Sequence, residues 1–251
     1  MELSGVSEAM ALIDLWRCAG FLVGIVALWI VTGIAKTRGK LQESDSRKIN
    51  HIAVFVGGAL VFGWLPEAVA RVNLYAIALL ILSLVILVCC FQDSSPFSYA
   101  YAANTRASDA LHSTFFFWFS WCVSIAALAA VDFLFTQMSV TRMAILIVGV
   151  ADGIAEPIGK RYGRHRYPVL SFGDNPSFRS VEGSSAVWIA TAVVVSAVAL
   201  CSPNIVDSYI SWSFAVVTIS SVITIVEAIS PRGCDNFTLL LTAAGLTNLL
   251  L

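Results

Sequence analysis

Residues 142–159 read RMAILIVGVADGIAEPIG, an apolar run broken only near its end by two acids, Asp152 and Glu156. With its flanks the run can cross a hydrocarbon core of about 30 Å as a helix. Comparable apolar runs lie on either side of it, near 18–35, 49–65, 73–91, 112–135, 184–201 and 209–229, with a shorter one at 238–251. None alternates with period two, so a membrane β-barrel is excluded. The expected fold is therefore all-α: one polytopic membrane domain spanning residues 1–251, with seven or eight transmembrane helices.

The composition agrees. Of 251 residues, 58% are hydrophobic and 12% charged, where a soluble domain carries roughly a quarter of its residues as charges. Mean hydropathy is +0.84. Lipid must be the solvent for much of such a chain. The six cysteines form no CxxC pair and read as small packing residues rather than a disulfide or zinc framework. Residues 1–17, MELSGVSEAMALIDLWR, hold no basic residue before Arg17, so the first run reads as a permanent anchor and not a cleaved signal. No period of 20–50 residues repeats.

Basic residues set the orientation. If the loop containing Lys36 and Lys48 is cytoplasmic, alternation through eight spans puts Arg17, Arg71 and Arg142 outside. It puts Lys36, Arg38, Lys40, Arg47, Lys48, Arg106, Lys160, Arg161, Arg164, Arg166, Arg179 and Arg232 inside, twelve of the fifteen basic residues. The N-terminus is then outside. The long polar loops near 92–111 and 160–183 face the cytoplasm, where function is expected. The membrane is a bacterial inner membrane or that of the endoplasmic reticulum or another organelle.

Asp152 and Glu156 are four residues apart and share a helix face. A carboxylate in hydrocarbon costs roughly 2.5–3.5 kcal/mol on insertion scales, so such acids usually face a polar cavity. They suit Mg²⁺, which takes one or two carboxylates together with substrate phosphates; the plain alternative is an ion pair with a neighbouring helix. Lys160, Arg161, Arg164 and Arg166 follow directly among glycines. They suit polyphosphate binding or, more simply, anchoring to anionic lipid. Arg179, Ser180 and Glu182 precede the run at 184–201, where Ser180 or Ser184 can cap a helix and the helix start can bind an anion. Arg47, Lys48, Asn50 and His51 open the second run; snorkelling explains the two cations but not His51. Glu227 ends the seventh run against the helix dipole and expects a partner. Arg106, Asp109, Asp235 and Asn236 lie in the same layer. Charges from distant segments thus converge on one membrane face. The chain has no GxxxxGK[ST] loop, no GxGxxG and no HRD or DFG set.

Four blocks, RKINH (47–51), ADGIAEPIGKRYGRHRYP (151–168), FRSVEGS (178–184) and VEAISPRGCDN (226–236), resemble the polyprenol kinase family. That family includes dolichol, phytol and farnesol kinases and CTP-dependent diacylglycerol kinases, and is distantly similar to CDP-diacylglycerol synthases. Phe178 stands where a Lys is common in the family, and Glu156 is a variable position there. The resemblance implies transfer of a nucleotide γ-phosphate, with CTP as donor, to a lipid alcohol. It places Mg²⁺ on Asp152 with Glu156, Glu182 or Glu227, and nucleotide phosphates on Arg47, Lys48, Lys160, Arg161, Arg164, Arg179, Ser180 and Asn236. His51, Asp109 and Asp235 are the candidate bases, Asp152 and Glu182 the other candidate catalytic acids. A cytidylyltransferase making a CDP-lipid and a non-enzymatic lipid transporter are the rival readings. Membrane lipids, the lipid alcohol and the nucleotide are the expected partners; no nucleic acid is. Gly149 and Gly153 form a small-xxx-small pair that would serve a second copy of the chain or internal packing, which leaves the oligomeric state open.

Overall fold

The computed structural model describes residues 2–62, 67–106, 112–169, 177–201, 209–231 and 233–251. Among them the chain forms nine helices: α1 (Glu2–Thr37), α2 (Glu43–Phe62), α3 (Glu67–Cys90), α4 (Phe97–Asn104), α5 (Ser113–Leu134), α6 (Met138–Tyr162), α7 (Val181–Cys201), α8 (Tyr209–Ile229) and α9 (Asp235–Leu250). A two-stranded antiparallel ribbon, β1 (Arg166–Val169) and β2 (Ser177–Ser180), joins α6 to α7, with Tyr167 opposite Arg179.

Six helices, α1, α3 and α5 to α8, carry segments long and apolar enough to cross a membrane. They mark an integral membrane protein. Two of the eight expected runs fall short of that standard. The helix α2 starts six residues before its apolar run and brings Glu43, Asp45, Arg47 and Lys48 into its first turns. With 16 residues, α9 is only about 24 Å long.

Burial is inverted relative to a soluble protein. Large apolar side chains such as Val31, Leu79, Phe133, Val193 and Phe214 lie on the exposed surface, and many buried positions are Ala or Val. The central element is α6: 72% of its apolar segment is buried, against 22–33% for the other five. It packs on α2, α7 and α9.

Glycines set these approaches. A Cβ on Gly153 would sit 2.4 Å from Ile52 Cγ1, and one on Gly149 2.7 Å from Phe55 Cβ. Within the chain, the small-xxx-small pair therefore seats α2 against α6. On the other side of α6, Gly159 and Gly183 bring α7 close, and the Ser180 hydroxyl lies 2.9 Å from where a Gly159 Cβ would be. The stretch expected to be a polar loop near 92–111 contains α4, whose Ala100 and Ala103 are buried. There the backbone of α1 comes so close that a Cβ on Gly33 would lie 1.9 Å from the Tyr99 carbonyl oxygen.

At the far end of the bundle, Asp132 of α5 accepts from Tyr75 at 2.7 Å and pairs with Arg71 Nε of α3 at 3.1 Å. Most of the remaining charges gather at the other end.

Candidate functional site

On α2, residues 48, 51 and 55 fall on one face by the helical period, and the Gly149–Gly153 contact presses that face onto α6. Lys48 Nζ donates to Asp152 Oδ2 at 2.7 Å, and both side chains are buried. His51 Nε2 lies 3.4 Å from the same oxygen and 3.3 Å from the Val148 carbonyl. With two acceptors before it, Nε2 carries the hydrogen, and Nδ1 is the nitrogen that can accept. The His51 ring stacks on Phe55 with centroids 4.4 Å apart.

One turn along α6, Glu156 is surrounded by cations. Arg47 donates to its Oε2, Arg106 Nη2 stands 3.3 Å from that atom, and Lys160 Nζ is 3.0 Å from Oε1. Glu156 thus ties α2, α6 and the segment after α4 together. Lys36 braces that segment by donating to the carbonyls of Ala102 and Thr105 at 2.6 and 2.8 Å. Arg161 pairs with the buried Asp45 of α2.

A second cluster joins the ribbon to α8 and α9. Arg179 Nη1 is 2.8 Å from Glu227 Oε1, and Nη2 is 3.9 Å from Asp235 Oδ2. Burial lowers the pKa of this guanidinium, but Glu227 and Asp235 beside it outweigh that and raise it. The partner expected for Glu227 is therefore Arg179. Ser180 Oγ accepts from the Gly183 amide at 3.1 Å, capping α7. Glu182 turns away to His165, whose Nδ1 is 2.9 Å from Oε1. Arg164 is exposed at the turn into β1.

Between these clusters lies a polar cavity of about 100 Å³, lined by Arg47, Lys48 and His51 of α2, Asn104, Thr105 and Arg106, Asp152, and Asp235 and Asn236 at the start of α9. Its remaining wall is a face of α5 that includes Ser120, Trp121 and Ser124. Five chain segments therefore meet at one opening.

Of the residues expected at the site, the cavity gathers Arg47, Lys48, His51, Asp152, Asp235 and Asn236. Lys160, Arg161, Arg164, Arg179, Ser180, Glu156, Glu182 and Glu227 do not line it, and Asp109 falls outside the described residues. Mg²⁺ was expected on Asp152 with Glu156, Glu182 or Glu227; among the described residues, no three His, Cys, Asp or Glu side chains converge as a metal-binding group. All four acids are engaged by a basic side chain, Asp152 by Lys48, Glu156 by Arg47, Glu182 by His165 and Glu227 by Arg179, and of the four Asp152 alone lines the cavity.

No family model matches this chain. Neither does a curated protein or a solved structure.

Asn104 and Thr105 enter the site unannounced, because α4 hid inside an apparent loop, and Arg106, expected only in the same charged layer, lines the cavity itself. The serines of α5 left a fainter signal: Ser113, Ser120 and Ser124 fall on one helical face of an otherwise apolar run.

Proposed function

We propose that this protein is a lipid-alcohol kinase whose active site is the polar cavity at the charged end of the bundle. The observation that carries the reading is that Arg47, Lys48 and Arg106 line one cavity together with Asp152 and Asp235. Phosphoryl transfer asks little covalent help of a protein; it needs positioning and cations around the transferred group. The three basic side chains supply charge-assisted hydrogen bonds to phosphate oxygens. With the twelve-to-three bias of basic residues, the reading extends to eight passes, an outer N-terminus and a cavity on the cytoplasmic side.

Asp152 and Asp235 come from different helices and open on the same cavity, and this donor set fits Mg²⁺, which is satisfied by one or two carboxylates plus phosphates. Bound there, the ion would neutralise charge on the donor's phosphates. In the reaction, the lipid hydroxyl oxygen bonds to the γ-phosphorus while the bond from that phosphorus to the bridging oxygen breaks. The nucleoside diphosphate leaves with its electron pair. His51 takes the hydroxyl proton at Nδ1: it lines the cavity, and its Nε2–H is held by Asp152 and the Val148 carbonyl, which leaves Nδ1 as the accepting nitrogen. CTP as donor rests on the resemblance of the four sequence blocks.

The test is incubation of purified protein with CTP or ATP labelled at the γ-phosphate and farnesol, phytol, dolichol or diacylglycerol. Label in an organic-soluble monophosphate supports the reading. A product that retains CMP makes the protein a cytidylyltransferase, and no labelled lipid with any donor removes the kinase assignment.

A further inference from the structure

Below the polar cavity lies an apolar slot of about 70 Å³ between α2, α3 and α5, floored by Ile145 and Leu240. Its walls include Gly58 and Ala59, Ile77, Ala78 and Ile81, and Ile125 and Leu128. Phe55, Trp121 and Ser124 line both spaces, so the slot and the cavity share one partition. A water-sized group needs about 10–15 Å³ on this measure, which gives the slot room for roughly five to seven such groups, the first carbons of one hydrocarbon chain and not of two.

At the partition sits an unmatched polar atom. Asn236 is 8% exposed, and its Oδ1 is buried with no hydrogen-bond partner among the described residues. The orientation of this amide is fixed by its neighbours. The Ser124 hydroxyl donates to the Ser120 carbonyl at 2.8 Å, which leaves Ser124 Oγ to accept from Asn236 Nδ2 at 2.9 Å. Oδ1 is thereby held as an acceptor. Leaving such a group unpaired costs about 1–3 kcal/mol, and what it lacks is a donor such as an alcohol O–H.

We infer that Asn236 receives the hydroxyl of the acceptor lipid and that the apolar slot beneath Trp121 holds the single chain attached to it. This assigns Asn236 to the acceptor and not to the nucleotide. It rests on the phosphotransfer reading only for what then happens to the hydroxyl. A glyceride, whose two chains diverge within a few bonds of its hydroxyl, does not fit a slot of one chain's width.

The site is tested on the full chain in nanodiscs with EDTA present, so that metal ligation plays no part. The probe is a C15 primary alcohol carrying a diazirine on its chain, cross-linked by light and mapped by mass spectrometry. Farnesol, farnesyl methyl ether and 1,2-dioctanoylglycerol serve as competitors. Label is expected on α2, α3 or α5 at the slot. Farnesol should compete about 3- to 10-fold better than its ether, the worth of one hydrogen bond. That advantage should vanish in Asn236→Leu and survive in Asn236→Asp, with thermal unfolding of each variant followed by tryptophan fluorescence as the check on folding. Gly58→Leu should cut labelling at least 10-fold. It fills the slot without a backbone clash, because a Cβ there meets only Phe21 Cζ at 3.8 Å.

Full labelling in Gly58→Leu, a farnesol advantage that persists in Asn236→Leu, or equal competition by dioctanoylglycerol would each overturn the inference. Its failure is separable from that of the kinase reading. Phosphorylation of dioctanoylglycerol would sink the single-chain site and keep the kinase, and correct labelling without phosphotransfer from any nucleotide would do the reverse.

Discussion

Replacing Asp152 by Asn removes one charge from a pair whose side chains are 7% and 8% exposed and whose atoms are 2.7 Å apart. At an effective dielectric constant of about 20, two unit charges at that separation attract by roughly 6 kcal/mol. Desolvation of both groups offsets much of this, so the pair's net worth is smaller. What the substitution leaves behind is a buried ammonium without its counter-charge, and breaking one side of a buried pair costs about 3–5 kcal/mol. The polar cavity beside Lys48 favours the lower end. For a chain of this size, about 3 kcal/mol corresponds to a fall in Tm of roughly 6–12 °C. The assay is thermal unfolding in one detergent, followed by tryptophan fluorescence, for Asp152→Asn, Lys48→Gln and the double variant. The double variant, with two neutral groups that can still hydrogen-bond, should recover most of the loss and give a coupling energy of about 2 kcal/mol. If Asp152 also serves the chemistry, all three variants lose turnover by roughly 10²-fold or more, including the double variant that has regained stability. An unchanged Tm for Asp152→Asn, or additive losses in the double variant, would refute the pairing argument. A stable double variant with normal turnover would refute the catalytic one.

Arg106→Ala should weaken binding of a fluorescent CTP analogue by about 10- to 100-fold, the worth of a charged hydrogen bond, with little change in Tm because Glu156 keeps Arg47 and Lys160; unchanged affinity would remove Arg106 from the site. Arg179→Ala should behave oppositely, since it uncovers the buried Glu227: a stability loss of about 3 kcal/mol by thermal unfolding, with nucleotide affinity unchanged in the folded fraction. Gly153→Ala should cost about 1–3 kcal/mol by overpacking against Ile52, and Ile52→Ala on the same chain should return part of it in the same unfolding assay. Single cysteines at Lys40, Ser94 and Arg164, all exposed, should label with a membrane-impermeant maleimide from the cytoplasmic side only; labelling of Arg164 from the opposite side would break the shared active face.

The helical membrane fold was legible because apolar runs of span length leave few alternatives. Six of those runs became helices that can cross a bilayer. Asp152 was legible too, since an acid deep in an apolar run demands an explanation. Its partners were not: Lys48 is 104 residues away, and no local pattern announces which cation reaches which acid. The acids Glu156 and Glu227 looked like ligands for the same reason that Asp152 did; all three are paired with cations, and only their place relative to the cavity separates Asp152, which lines it, from the other two. Gly149 and Gly153 read as a packing pair without a named partner and Gly159 as part of a cationic loop, whereas in three dimensions all three are where α6 touches its neighbours. The short helix α4 was invisible because its eight residues are too few for a hydrophobic period to emerge.

The position of α2 bears on how the protein reaches its membrane. With four charges in its first two turns, this helix lacks the apolar length of the six that can insert on their own account. Its charges find their counterparts on α6, synthesised long afterwards, and the groove that receives its backbone is formed by Gly149 and Gly153 of that later helix. Until α6 is made, Arg47 and Lys48 of α2 therefore lack the acids that pair with them in the finished bundle. The burial of α2 is a late event of assembly, and the lining of the cavity is complete only when α9 follows.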